Sequence, residues 1–153
     1  MASRLETRSA QLSQLIEAAD AEPQRRIAVR AAKAAVSAVA LDEPELAPAL
    51  ADLALGRWGG PGAQAATALT DRLDAQAWGI HDEMEQGTAE QVEYRATFRR
   101  ARAASAVAFA LATDPRNAAL EAAYEADAAI ENLELIRGIV NEVLGIEQDA
   151  ERA

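Results

Sequence analysis

The chain is expected to fold as an all-α, compact bundle of about six helices with a long C-terminal helix, and three observations point there. Alanine makes up about a quarter of the 153 residues; it is the strongest helix former and small enough to let helix axes approach closely. Apolar residues recur at helical spacing along most of the chain. Only Gly56-Arg57-Trp58-Gly59-Gly60-Pro61-Gly62 is dense enough in glycine and proline to exclude regular structure. GC-rich coding accounts for the alanine equally well and leaves the helix reading intact. At this length residues 1–153 are read as a single α-helical domain able to bury a core without staples.

Ser3 and Glu6 form a capping box at the start of a first helix. Leu5, Leu12, Leu15, Ile16 and Ala19 then lie on one stripe, and the helix is expected to run unbroken to about Asp20. Pro23 suits the first turn of a second helix. From Ile27 to Leu41 that helix is apolar except for a narrow stripe of Arg30, Lys33 and Ser37, so it should sit centrally. Asp42-Glu43-Pro44 stops it. Pro44 and Pro48 open a shorter helix, regular from Ala47, with Gly56 as its C-terminal cap.

Beyond the glycine loop, Ala65, Ala66, Leu69, Leu73 and Ala77 mark a fourth helix ending at Gly79, and Ile80 to Gly87 reads as a turn or a single helical turn. Thr88 and Gln91 form a second capping box, opening a helix to about Ala112 whose segment Ala103–Ala112 should be central. Asp114-Pro115 is a strong start signal for a last helix of about thirty residues, stopped by Gly145 and placed outside the core. Gly138 inside it marks a bend or a close crossing. Arg25-Arg26 ahead of an Ala/Val run and Asp42-Glu43-Pro44 parallels Arg99-Arg100 ahead of a similar run and Asp114-Pro115. Two related hairpins, or chance in an alanine-rich chain, would both look like this.

Composition removes several chemistries. Without cysteine there is no disulfide, thiolate nucleophile or cysteine-held metal. The N-terminal residues lack the apolar run of a signal peptide, and the longest uncharged apolar stretch, about ten residues around Ala103–Ala112, is half of what a bilayer needs. A cytoplasmic location away from membranes is expected. A net charge of −10 disfavours nucleic acid and permits a basic protein partner, although most acidic proteins are merely soluble. His81, the only histidine, has Asp82, Glu83 and Glu85 nearby, but the Glu-x-x-His units of a bundle di-metal site are missing, so no metal is expected. No serine lies in a nucleophile elbow, and the glycine loop lacks the Gly-Lys-Ser/Thr ending of a phosphate loop. No catalytic residue and no cofactor is assigned.

Asp127, Glu131 and Glu134 share a face, and Arg95, Arg99 and Arg102 form a matching basic stripe on the preceding helix. An intramolecular ion-pair network accounts for both; acid/base work would require one carboxylate to be desolvated.

What remains is a binding surface. Arg57 and Trp58 stand in the flexible loop, and Trp and Arg are enriched at binding hot spots. Trp78, Ile80, His81 and Met84 come from the next turn region and are expected close by. The bland counterpart has Trp58 folding back as a lid that fills volume left by alanine. The first functional expectation is a non-enzymatic protein-binding module: an adaptor, inhibitor or immunity-type antagonist using an acidic helical surface and the Trp58 loop. The alternatives are a small-ligand or enzymatic bundle with a pocket near Trp58, Trp78 and His81, or a homo-oligomer joined through the wide apolar arc of the C-terminal helix.

Overall fold

The computed structural model describes residues 2–87 and 89–146. All regular structure among them is helical: α1 (Arg4–Arg8), α2 (Ala10–Ala18), α3 (Ala21–Ala38), α4 (Leu46–Leu55), α5 (Pro61–Glu85), α6 (Gln91–Ala110), α7 (Pro115–Ile130) and α8 (Leu133–Leu144). Eight helices replace the expected six because two of the expected helices are broken. Thr88 of the second capping box lies outside the described residues, and α6 begins after Glu90.

The first break is at Ser9. Its backbone is extended, its N–H donates to the Leu5 carbonyl, and its hydroxyl accepts from the Leu12 N–H to cap α2. The turn lets α1 bury Leu5 while Arg4 and Arg8 reach acids of α7. The second break is at Glu131, which takes a left-handed conformation (φ 61°) and ends α7, after which Asn132 caps the Leu135 N–H to restart the chain as α8. Gly138 lies within α8, so the bend falls seven residues before it. α5 shows the opposite deviation. It runs straight through Gly79, since glycine inside a helix costs only about 1 kcal/mol and Ile80 gains burial beyond it.

α3, α6 and α7 form the centre, with α5 packed along α6. The expectation for α3 and the Ala103–Ala112 segment holds, but the first half of the expected last helix is central too. Ala118, Ala119, Ala122, Ala123 and Ala126 of α7 are fully buried against the alanine faces of α3 and α6. Small side chains allow that approach, and Leu69, Leu73, Leu111 and Ile136 fill the wider spaces. In α8, Ile136, Ile139, Val140 and Val143 are buried by the chain itself, and Leu135 is left exposed.

Charge pairing follows the expected stripes in part. Arg95 and Arg99 both reach Glu131, but Arg102 turns to Glu125 and Asp74, Asp127 is held by Arg8, and Glu134 pairs with Arg137. The hydrogen bond from Arg95 holds the Glu131 carboxyl below the ordinary glutamate range. A carboxyl depressed by folding adds stability above its unfolded pKa, and that increment is lost as the pH falls through the lower folded value. Glu131→Gln is therefore expected to unfold at slightly lower denaturant than the parent at neutral pH, the two curves converging on acidification below about pH 4. Urea midpoints measured across that range check it.

No helix among the described residues is long and apolar enough to cross a membrane.

Candidate functional site

The last two turns of α5 and the first two of α6 bring together a row of rings. Trp78 lies edge-on to His81 with ring centres 5.6 Å apart, His81 lies edge-on to Tyr94 at 5.5 Å, and Tyr94 stacks on Phe98 at 6.2 Å. Helical spacing builds it: Trp78 and His81 are three apart on one helix, and Tyr94 and Phe98 four apart on the next. The row is partly uncovered, with His81 and Tyr94 half-buried. Trp78 is 64% exposed and Phe98 37%, and Val92 on the same end of α6 is 77% exposed.

The surroundings are acidic. Asp82, Glu85, Glu90 and Glu93 are exposed beside the row. Glu85 stands 3.8 Å from His81 Nδ1, whereas Asp82, Glu90 and Glu93 make no ion pair among the described residues. One donor atom each from His81, Asp82 and Glu85 falls within 4.8 Å of the others. Both carboxylates are exposed, and His81 Nδ1 is buried without a hydrogen-bond partner.

Arginines distinguish the six Trp, Tyr and Phe rings. Arg25 lies over Trp58 at 4.2 Å, Arg4 over Tyr124 at 4.3 Å and Phe109 at 5.7 Å, and Arg102 over Phe98 at 5.5 Å. Among the described residues Trp78 and Tyr94 have no such cation. Of these two, Trp78 is the more exposed, and Tyr94 is half-buried between His81 and Phe98.

Trp58 behaves otherwise than the flexible-loop expectation. It is half-buried against the core and stacked on Arg25. Arg25 in turn donates to the carbonyls of Ala112 and Thr113, each at 2.5 Å, and the Gly59 N–H donates to the Leu111 carbonyl at 2.7 Å. The loop thus closes the C-terminal end of α6. Arg57 projects outward, with the buried Asp52 at 4.0 Å. The single pocket expected to unite Trp58 with Trp78, His81 and Met84 is not formed. Trp58 precedes α5 while the other three sit near its far end, and the rise from Pro61 to Trp78 alone is about 25 Å.

A second charged cluster escaped the sequence reading. Glu125, 2% exposed, receives Arg4 at 2.9 Å and Arg102 at 3.0 Å, and Arg102 also grips both Asp74 oxygens at 2.7 and 2.8 Å. Burial alone would lower the Arg102 pKa, but Glu125 and Asp74 outweigh it and hold the guanidinium above its ordinary value. Beside it, Arg8 binds Asp127 Oδ2 at 2.8 Å, while Asp127 Oδ1 is buried without a partner. With each cluster carboxylate held by arginine, the arrangement pins α1, α5, α6 and α7 together.

Tyr94 and Phe98 were also missed. Their four-residue spacing was visible, but its meaning depended on Trp78 and His81 lying across from them, which required α5 to continue through Gly79.

No known family model, curated protein or solved structure matches the chain.

Proposed function

We propose that this protein is a non-catalytic binding module that takes a basic segment of a protein partner on the aromatic strip of α5 and α6. The observation that carries the reading is the pair of rings without an arginine, Trp78 and Tyr94, in a chain whose other Trp, Tyr and Phe rings are each covered by one. A partner's arginine or lysine would complete that pattern. Asp82, Glu90 and Glu93 supply uncommitted negative charge around the seat, which speeds encounter and selects against acidic partners. Exposed rings beside unpaired acids match the composition of cation-recognising surfaces. The acidic net charge of −10 acts in the same direction.

The test uses a synthetic arginine-rich peptide and a counterpart with each arginine changed to glutamate. In a Trp58→Phe background Trp78 becomes the sole indole, and its emission reports on the strip directly. A saturable change with the basic peptide alone, weakening as salt rises, is expected. Tyr94→Ala should weaken binding about tenfold or more, the effect of a hot-spot aromatic. Equal binding of the acidic peptide, or an affinity indifferent to Tyr94→Ala in a protein with unchanged helicity, would overturn the reading.

A further inference from the structure

We infer that the groove between α3 and the α4–α5 junction binds a small amphiphilic anion, an apolar chain ending in a carboxylate. The groove is open to solvent and has a volume of about 490 Å³, within the range of small-molecule sites. Its apolar wall is made by Val29, Leu53, Leu55 and the Trp58 indole. Leu55 is 62% exposed there, a large aliphatic side chain that the fold itself does not use. Three arginines also line the groove: Arg25, whose guanidinium lies over the Trp58 ring, and Arg26 and Arg30.

Arg25 sets the sign of the ligand. Every other arginine among the described residues has a carboxylate within 4.0 Å; Arg25 has none. Its hydrogen bonds go to the neutral carbonyls of Ala110, Ala112 and Thr113, and they use its two terminal nitrogens, leaving Nε without a protein partner. Asp114, beyond ion-pair distance, and the negative end of the α6 dipole offset only part of that charge. Arg26 and Arg30 do have acids, Glu22 and Glu142, but those are 71% and 64% exposed. Such surface pairs are weak and exchange readily. Three arginines lining one groove are unexpected in a chain of net charge −10, and they share it with Val29, Leu53 and Leu55. A carboxylate seated among the arginines would give Arg25 the contact ion pair it lacks, while its apolar portion would cover Leu53, Leu55 and the open part of Trp58.

The site lies at the opposite end of α5 from the aromatic strip, so the two are separable by experiment. In a Trp78→Phe background Trp58 is the sole indole and lines the groove. Dodecanoate, titrated below its micellar concentration, should change Trp58 emission saturably, and dodecyltrimethylammonium of the same chain length should not. Leu55→Glu, at an exposed position that leaves the core intact, should weaken dodecanoate at least tenfold, and Arg30→Gln about threefold. Equal responses to the two amphiphiles would show that the groove reads apolarity without charge and would overturn the assignment. So would dodecanoate binding that Leu55→Glu leaves unchanged, or an acidic apolar peptide that binds where dodecanoate does not.

Discussion

Replacing Arg102 with methionine is expected to destabilise the protein by about 3 kcal/mol, lowering the melting temperature by roughly 6–12 °C. Arg102 is 17% exposed and Glu125 2%, so the substitution strands a carboxylate that water cannot reach. Removing one partner of a buried pair costs about 3–5 kcal/mol. The low end applies because Arg4 remains at 2.9 Å, although its own side chain is 46% exposed and water weakens its contribution. Arg102→Met combined with Glu125→Leu should recover most of the loss, since no buried charge is then left uncompensated. Glu121 continues to hold Arg4 in that double variant. Urea denaturation of the two variants and the parent decides it. A double variant no more stable than Arg102→Met alone would show that the four helices are not joined through this pair.

Gly62→Ala is expected to cost about 2 kcal/mol, whereas Gly60→Ala two residues earlier should change stability by less than about 0.5 kcal/mol. The contrast is steric. A methyl group at position 62 would stand 2.5 Å from Asp52 Oδ2 and 2.8 Å from both its Cβ and Cγ. Asp52 cannot swing aside without cost, because it is buried on α4 and accepts the Gly62 N–H at 2.8 Å, tying the start of α5 to α4. The two helices must separate instead, and the helix propensity gained with alanine, about 1 kcal/mol at most, offsets only part of that. At position 60 the same methyl group would meet Asp52 Oδ2 at 3.6 Å, ordinary contact. Thermal melts of the two single variants give the comparison.

Most of the helical segments were legible because alanine content and apolar spacing are local properties. Gly56 and Gly145 were readable as stops for the same reason, and both take the left-handed conformation that glycine favours. The breaks were not legible, because distant partners set them. Ser9 sits inside a continuous amphipathic stripe, and what turns the chain there is the attraction of Arg4 and Arg8 for Glu121, Glu125 and Asp127, more than a hundred residues away. At Glu131 the apolar run continues on either side, and the capping role of Asn132 is the only local mark of a restart.

The site was half legible. Trp78 and His81 were singled out, and they lie in the strip, but as neighbours of Tyr94 and Phe98 and not of Trp58. Glycines around Trp58 suggested a mobile display. Their use in the structure is to let the backbone come close enough for Gly59 to bond Leu111 and for the indole to settle on Arg25. Which tryptophan is free and which is docked followed from the position of one arginine, and sequence spacing carries no information about that.

The unbroken course of α5 fixes more than the helix count. Its 25 residues span about 37 Å as one hydrogen-bonded rod, with an arginine-lined groove at the first turn and an acid-edged row of rings at the last. On the two proposals above, the ends would take guests of opposite charge, joined by one continuous helix. Guests at both ends would be held at a set spacing and angle, as by the jaws of a caliper, so labels placed on them should report one narrow distance distribution instead of the broad one a flexible tether would give.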